Sequence, residues 1–428
     1  MLSFPSASAG SLPRCVRSAL LLFCTLTGLC LLTELFCHFV LHLRRPYDWP
    51  LPSPENRFCD FLVYYPRMLL IHSPDFFTKS GIGGFSYPPA AAAVLSVFYL
   101  TPNPLAAFLA AMMLCILGAG FLFRRILLRS GLSAGAAIMA VLFFGFSYPL
   151  MLTVQQGNCE WIVCLILAAG LASFLGSRPA LAAILLGLGA AIKLYPIILL
   201  GLFLHRRQYR WVVTGLGMFV LFTVASLWWE SGSISLSWAG TISGISGLNS
   251  SYVRHSMFFW DHSLFEFFKG AVAFAHPAKY TSQKSERVYI LAMAVIGTAL
   301  FFARIRKMPT LNQIFALVTA SILLPPMSMD YTIIQLFLPC ALLILSAIRS
   351  AQSGLGPSSK GTHAALLTLG FLFAPLTELT VYGHTLSNTL RTLGLVTLFV
   401  ISIRYPMEFA EQLEPSQSDA ITEARLAA

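Results

Sequence analysis

The apolar stretch "SALLLFCTLTGLCLLTELFCHFVLHL", residues 18–43, decides the fold class of this chain. A run of roughly 20 apolar residues is long enough for a helix to cross the hydrocarbon core of a membrane. Arg14 and Arg17 precede the run, which is too long for the apolar core of a signal peptide, and no small-residue cleavage site follows it. We therefore expect a retained membrane span with its N-terminus in the cytoplasm.

The whole chain shares this apolar character. Of its 428 residues, 57% are hydrophobic and 11% are charged, and the mean hydropathy is +0.75. Soluble domains carry about 25% charged residues, so a large part of this chain must face lipid. The formal net charge of +11 is expected from Lys and Arg on the cytoplasmic side, not from nucleic-acid binding. The nine cysteines form no CxxC pair, which argues against a disulfide framework, a zinc site and redox chemistry.

Apolar runs recur along the chain and predict an all-α polytopic membrane protein. They lie at about 18–41, 86–101, 104–123, 134–151, 159–175, 180–204, 211–229, 288–303, 311–326, 331–348, 363–382 and 387–403. Twelve spans place both termini in the cytoplasm together with nearly all basic clusters, as the positive-inside tendency requires. Those clusters are Arg14/Arg17, "HRRQYR" (205–210), "RIRK" (304–307), Arg349 and Arg404.

One basic cluster, "RRILLR" (124–129), disagrees with twelve crossings because it would then lie outside. Ten crossings place it inside, provided that runs 86–101 and 104–123 make one net crossing and that run 180–204 is re-entrant, with a break near "KLYP". Both arrangements leave two long outer loops, 44–85 and 230–287. We expect a single membrane domain over residues 1–408 and a polar, disordered cytoplasmic tail over 409–428.

The first outer loop contains "NRFCDFLVYYPRMLL", residues 56–70, in which Asp60 begins an amphipathic piece over 58–72. Such a piece is able to lie flat at the membrane surface. There a partly buried carboxylate is suited to remove a proton from an acceptor hydroxyl, whereas an ordinary loop Asp would only be solvated. Asp48, Glu55 and Asp75 share the loop and have an equal claim on chemistry alone.

Two further polar pieces stand at membrane boundaries. In "GGFSYPPAAAAV" (83–94), Tyr87 precedes two prolines at a helix start, and it is also able to line a sugar or lipid site. In "TVQQGNCEWIV" (153–163), Gln156, Asn158 and Glu160 interrupt two apolar runs, and Glu160 is equally suited to the N-terminus of a helix.

A cation lies in the middle of the apolar run "LLGLGAAIKLYPIILLGLF" (185–203). An unpaired Lys at the centre of a bilayer costs about 2.5–3.5 kcal/mol on insertion scales, so Lys193 should face a cavity and a partner. A substrate phosphate is one such partner. An internal Glu, or the carbonyl groups freed at a break before Pro196, is the alternative.

The second outer loop and the segment near 330 add more candidates. Arg254, His255, Asp261 and His262 stand among aromatic residues in "YVRHSMFFWDHSLFEFF" (252–268), a mixture suited to phosphate and sugar hydroxyls. No third ligand with convincing spacing supports a metal there. Asp330, in "LLPPMSMDYTIIQLFLP" (323–339), is a rival base.

These pieces, in this order, resemble glycosyltransferase family 87, whose members are polytopic mannosyl- or arabinofuranosyltransferases of the GT-C superfamily that use polyprenyl-phosphate sugars. The resemblance runs from Asp60 to about Pro339 and rests on "CDFLVYYPRML", "FSYPP", "QQGN", "GLGAAIKLYP" with "HRRQYRW", "WDHSLF" and "PPMSMDYTIIQLFLP". It departs where family members often carry an Asn-Gln-Ser-like triplet, here "WDHSLF", and a His after a Trp, here "SMDYT".

The resemblance implies a GT-C type bundle of about 10–12 transmembrane helices whose two outer loops carry interfacial helices. It implies that Asp60 is the general base of an inverting transfer from a polyprenyl-phosphate sugar to a lipid or glycan acceptor. Lys193, Arg254 or a neighbouring His would then stabilise the departing phosphate, and neither a metal nor another cofactor is required. The implied location is the plasma (inner) membrane, with the active site on the extracytoplasmic face and lipids and the two substrates as partners.

Two other function classes stay open on the sequence alone. A transporter or lipid flippase would use Lys193, Glu160 and Asp330 as charges along a path, although no inverted repeat is visible. A structural membrane protein that has lost activity would explain the two departures from the family pattern.

Overall fold

The computed structural model describes residues 11–42, 57–79, 85–254, 261–275, 283–352, 359–377, 380–381 and 384–407. Over these residues the regular secondary structure is helical, apart from one antiparallel pair of two-residue strands, β1 (Thr380–Val381) and β2 (His384–Thr385). The all-α fold class is therefore confirmed. The predicted tail 409–428 lies outside the described residues.

The helices follow the apolar runs closely. They are α1 (Arg14–Phe39), α2 (Cys59–Leu62), α3 (Tyr65–Met68), α4 (Asp75–Thr78), α5 (Pro89–Tyr99), α6 (Pro104–Arg129), α7 (Ala134–Gly145), α8 (Tyr148–Gln156), α9 (Glu160–Leu175), α10 (Pro179–Ile192), α11 (Gly201–His205), α12 (Tyr209–Ser231), α13 (Ile234–Leu248), α14 (Leu264–Ala275), α15 (Gln283–Ala303), α16 (Thr310–Leu323), α17 (Phe337–Gln352), α18 (Lys360–Phe373) and α19 (Leu386–Arg404). Short 3-10 helices span Tyr195–Leu200, Ile305–Lys307 and Asp330–Leu336.

Local sequence explains where these helices begin. The Asn103 side chain accepts a hydrogen bond from the backbone N–H of Ala106 at 3.2 Å and caps α6, and Ser133 caps α7 in the same way through Ala136 at 3.3 Å. Proline occupies the first turn of α5, α6 and α10, where its missing N–H costs nothing.

Six helical segments are long and apolar enough to cross a membrane in the described part of the chain. They are Arg14–Phe39, Pro104–Arg129, Tyr209–Ser231, Lys284–Lys307, Asp330–Gln352 and Leu386–Arg404. The bent pair α7 and α8, with a 49° angle, makes a seventh if it is one span, and five further apolar helices are shorter. The chain is therefore a multi-pass membrane protein.

Two features match the ten-crossing arrangement. Helix α5 has 11 residues and rises only about 16 Å, roughly half the hydrocarbon thickness, so it does not cross alone. The run 180–204 is broken as expected, because Lys193 adopts an extended backbone after α10 and Pro196, in the first turn of the 3-10 helix Tyr195–Leu200, has no N–H to donate. The number of crossings stays a prediction.

Small residues allow the helices to approach one another closely. A Cβ on Gly187 would lie 2.4 Å from the carbonyl oxygen of Gly215, so α10 and α12 meet backbone to backbone. A Cβ on Gly370 would lie 2.6 Å from the carbonyl oxygen of Ala19, which joins α1 to α18. Such contacts are typical of helix packing in membranes.

The described part of the first outer loop packs against the helices. The amphipathic piece predicted over 58–72 forms two separate turns, α2 and α3. Phe61 is buried and stacks on Tyr99 with ring centroids 4.4 Å apart, whereas Leu62 and Leu69 are exposed. The loop is thus anchored to the bundle through α2, the turn that carries Asp60.

Candidate functional site

Asp60 is held by an asparagine from a distant part of the chain. The Asn158 side-chain nitrogen donates to Asp60 Oδ2 at 2.6 Å and also lies 3.1 Å from the Tyr87 hydroxyl. The hydrogen-bond contact of Asp60 Oδ1 is the Cys59 thiol at 3.8 Å, a weak donor. Asp60 Oδ2 is therefore fixed by a strong hydrogen bond, whereas Oδ1 has only a weak one.

The turn after α8 brings Asn158 to this position. Gly157 has φ +64°, the left-handed conformation that ends a helix, and a Cβ there would lie 3.1–3.2 Å from Phe58 and Phe61. The Phe58 N–H donates to the Gln155 carbonyl at 2.7 Å. Cys59 Sγ also lies 2.7 Å from Gln156 Oε1, so the single thiol proton has two possible acceptors. The "QQGN" piece and the Asp60 turn are thus docked against each other.

The electrostatic environment of Asp60 suits a base. Burial raises the pKa of its carboxyl above the ordinary value, and the Asn158 hydrogen bond, the Lys193 charge and the Cys59 thiol offset only part of that rise. Burial and the neighbouring carboxylate also raise the pKa of Cys59 to about 11, so this thiol stays protonated near neutral pH. A raised carboxyl pKa strengthens Asp60 as a proton acceptor.

Lys193 has an internal partner, as the alternative to a phosphate predicted. Its Nζ lies 3.4 Å from Glu160 Oε2, and the lysine side chain is 12% exposed while that of Glu160 is fully buried. The ammonium also lies 4.7 Å from the ring centroid of Tyr87 and 5.4 Å from that of Tyr331. Its predicted phosphate role stays a prediction.

Glu160 is the first residue of α9, as its predicted helix N-terminal position requires. Its Oε1 accepts hydrogen bonds from the Tyr195 hydroxyl and, at 2.6 Å, from Gln335 Nε2. Its backbone N–H donates to Asn158 Oδ1 at 2.9 Å. Asn158 therefore connects the candidate base on one side with the Lys193–Glu160 ion pair on the other.

The candidates near 261 and 330 form a second, fully buried cluster. His262 Nδ1 lies 2.8 Å from Asp330 Oδ1, and Arg391 Nη1 and the Tyr148 hydroxyl donate to Asp330 Oδ2 at 2.6 and 2.9 Å. Asp261 Oδ1 accepts the backbone N–H groups of Ser263 and Ser328 at 2.8 and 2.9 Å.

The contacts of Asp330 and His262 give both residues protein partners. Both oxygens of Asp330 have such a partner. His262 Nε2 also lies near protein hydroxyls, at 3.2 Å from Ser328 Oγ. The contact of these residues with substrate and the role of Asp330 as a rival base stay predictions.

Of the remaining predicted residues, only Asp75 has a side chain that the structure describes, and it joins neither cluster. Arg254 ends a turn of π-helix, Asn249–Arg254, and His255 lies outside the described residues. Asp48 and Glu55 also lie outside them. Asp75 is exposed on α4 and accepts a 3.5 Å hydrogen bond from Thr78.

Sequence reasoning missed Arg391 and Tyr148. Arg391 is fully buried, and its guanidinium carbon lies 3.9 Å from the ring centroid of Tyr148. Its signal was present, because an Arg inside the apolar run 387–403 needs a partner for the same reason as Lys193 does.

Comparison with protein-family models identifies the family of this chain. The family model described as glycosyltransferase family 87 matches residues 85–329, more than half of the chain. A search of curated proteins finds no match. The matched region contains the "FSYPP", "QQGN" and "WDHSLF" pieces and Lys193, while Asp60 and Arg391 lie on either side of it. The chain belongs to glycosyltransferase family 87 and is a multi-pass membrane glycosyltransferase.

Proposed function

We propose that this glycosyltransferase moves a sugar of the mannose or arabinofuranose class, with inversion, from a polyprenyl-phosphate donor to a lipid or glycan acceptor, and that Asp60 is the general base. The observation that carries the proposal is the setting of Asp60. One oxygen is fixed by Asn158 at 2.6 Å, burial raises the carboxyl pKa, and the other oxygen has only a weak thiol contact.

The reaction needs one carboxylate. Asp60 removes the proton of the acceptor hydroxyl as the hydroxyl oxygen bonds to the anomeric carbon of the donor sugar. The bond from that carbon to the phosphate oxygen breaks, and its electron pair leaves with the lipid phosphate. Attack and departure on opposite faces invert the anomeric centre. A lipid phosphate is a competent leaving group without a general acid, unlike the leaving group of a glycosidase, which uses a carboxylate pair.

Among the cations whose side chains the structure describes, Lys193 is the one best placed to stabilise the departing phosphate. Its charge acts on Asp60, so the two groups share one site, and Tyr87 contacts both the Lys193 ammonium and Asn158. A Lys acts as a point charge toward phosphate and stabilises negative charge as it develops. The ion pair with Glu160 keeps this cation in the site before the donor binds. The scheme requires neither a metal nor another cofactor.

We place the reaction on the extracytoplasmic face of the plasma membrane, with both termini in the cytoplasm. Segments predicted to be cytoplasmic meet at one end of the bundle. The His205 imidazole contacts the Arg306 carbonyl, and Arg304 Nε donates to the Ile403 carbonyl at 2.8 Å. Such clustering of basic segments supports the cytoplasmic assignment of that end.

The test compares Asp60→Asn with wild type, using purified protein in lipid nanodiscs and a panel of radiolabelled polyprenyl-phosphate sugars. We expect wild type to transfer or slowly hydrolyse one sugar and Asp60→Asn to be slower by about 100-fold or more, the size expected for a positioned base. Asp75→Asn is the matched control, because Asp75 shares the loop but is exposed.

Two results would contradict the proposal. Turnover by Asp60→Asn at the wild-type rate would move the base elsewhere. Consumption of no polyprenyl-phosphate sugar by wild type would exclude this donor class. Ion-coupled uptake into vesicles without transfer would then favour the transporter alternative.

A further inference from the structure

Arg391 forms a fully buried ion pair with Asp330. The residue lies on α19, beyond the matched region, and its side chain is fully buried, as is that of its partner Asp330. Arg391 Nη1 lies 2.6 Å from Asp330 Oδ2. A charge buried inside a membrane protein is expensive, and such charges usually have a specific task.

Asp330 joins two separate helices that support the active site. Its Oδ2 also accepts the hydroxyl of Tyr148 at 2.9 Å, and Tyr148 is the first residue of α8. Helix α8 ends at Gln156, directly before Gly157 and Asn158, which hold the Asp60 turn. The first chain of contacts from Asp330 therefore runs through α8 to the candidate base, Asp60.

The second chain of contacts runs through the 3-10 helix that begins at Asp330, Asp330–Leu336. The Tyr331 ring centroid lies 5.4 Å from Lys193 Nζ. One turn later, Gln335 Nε2 donates to Glu160 Oε1 at 2.6 Å. These contacts reach the Lys193–Glu160 ion pair, which contains the candidate phosphate-binding cation.

We propose that Arg391 is a positioning residue for glycosyl transfer, which fixes α8 relative to the 3-10 helix Asp330–Leu336 and so fixes Asp60 relative to Lys193. The inference rests on the proposed function, since Asp60 and Lys193 are the groups it positions. Base and cation act on opposite sides of the anomeric carbon, so their separation must be held closely. A displacement of about 1 Å is able to cost about 100-fold in rate.

The test uses Arg391→Gln and Arg391→Lys, with Asn312→Ala as the matched control. Asn312 is also fully buried and also ties down α19, through Ser402 and Tyr405 carbonyls at 2.6 and 2.8 Å, but at the opposite end from Arg391. All three changes should lower the melting temperature.

The kinetic readout separates positioning from stability. For Arg391→Gln we expect kcat with a polyprenyl-phosphate sugar to fall about 100-fold while the donor KM changes by less than about threefold. Arg391→Lys keeps the charge and should recover kcat to within about tenfold of wild type. Asn312→Ala should keep the wild-type kcat. Wild-type kcat in both Arg391 variants would overturn the inference.

Hydrogen exchange tests the same coupling without turnover, so a failure of the proposed donor class would not be confused with a failure of this inference. Arg391→Gln should speed amide exchange in both 148–160 and 330–336, and Asn312→Ala should speed it in neither. Faster exchange confined to α19 would overturn the inference. If Arg391→Gln does not fold, Arg391→Lys carries both measurements, with a smaller expected effect of the same sign.

Discussion

Replacing Gly157 by alanine should damage the active site without altering a single functional side chain. Gly157 adopts φ +64° at the end of α8, and its missing Cβ leaves the room that the Asp60 turn occupies. An added Cβ would lie 3.1 Å from Phe61 Cβ and 3.2 Å from both Phe58 Cα and Cβ. These contacts are a few tenths of an ångström closer than ordinary van der Waals contact, so the Asp60 turn must move.

The expected cost has two parts. An L-residue in the left-handed conformation costs about 1–2 kcal/mol. Overpacking against neighbours that cannot easily yield costs about 1–3 kcal/mol, which brings the total to about 2–5 kcal/mol. Because Phe58 and Phe61 flank Asp60 on the same turn, the movement should also lengthen the hydrogen bond from Asn158 to Asp60.

Gly232 offers a matched control. It has φ +72°, it also ends a helix, α12, and an added Cβ would find no atom within 4 Å. Gly232→Ala should therefore lose only the backbone part, about 1–2 kcal/mol. Equilibrium unfolding in mixed detergent measures both free energies, and transfer from a polyprenyl-phosphate sugar measures the effect on the reaction. We expect transfer by Gly157→Ala to fall about 10- to 100-fold, and transfer by Gly232→Ala to stay near wild type.

Equal losses of unfolding free energy in the two glycine variants would refute the reasoning, because the contacts with Phe58 and Phe61 would then carry no energy. Wild-type transfer by Gly157→Ala, despite a larger loss of stability, would show that the "QQGN" turn does not position Asp60.

Two further predictions concern charge. Asp60 acts as a base only in its carboxylate form, and its pKa is raised, so kcat/KM should fall as pH is lowered, starting at a higher pH than for an ordinary Asp. Cys59, with a pKa of about 11, stays protonated across this range and does not contribute to the fall. A pH–rate profile that does not fall at low pH would contradict the assignment of Asp60 as the base. Lys193→Met should destabilise the fold by about 3–5 kcal/mol, because it leaves the buried Glu160 carboxylate without its cation. The added change Glu160→Gln should restore stability but not sugar transfer. If measurements of unfolding and of sugar transfer show that the double variant recovers both, Lys193 has only a structural role.

The helices were predictable from the sequence because each apolar run is a local property. Every predicted run contains a helix, and the break near "KLYP" follows from Pro196. The amphipathic spacing over 58–72 does not show that this piece divides into the two turns α2 and α3. Phe61 and Met68 are drawn into the core while Leu62 and Leu69 face outward, and tertiary packing therefore overrides the local spacing.

The site was predictable as a set of pieces but not as an arrangement. Asp60 and Asn158 are 98 residues apart in the chain, and no spacing rule joins them. Lys193 is recognisable from the sequence because it is a single cation in an apolar run. The structure identifies Glu160 as the internal partner that the sequence leaves open as an alternative to a phosphate. Arg391 gave the same signal, but its partner Asp330 was interpreted as a candidate base instead of a counter-ion.

The hydrogen bond that fixes Asp60 Oδ2 comes from a side chain that does not titrate. Asn158 donates its amide N–H to the carboxylate and accepts the Glu160 backbone N–H with its amide oxygen, and neither contact changes with pH. A proton that arrives on Asp60 Oδ1 leaves the hydrogen bond to Oδ2 in place. Asn158 therefore holds the Asp60 carboxyl in the same position before and after it takes a proton. The side chain does not have to reorient before it releases that proton for the next cycle.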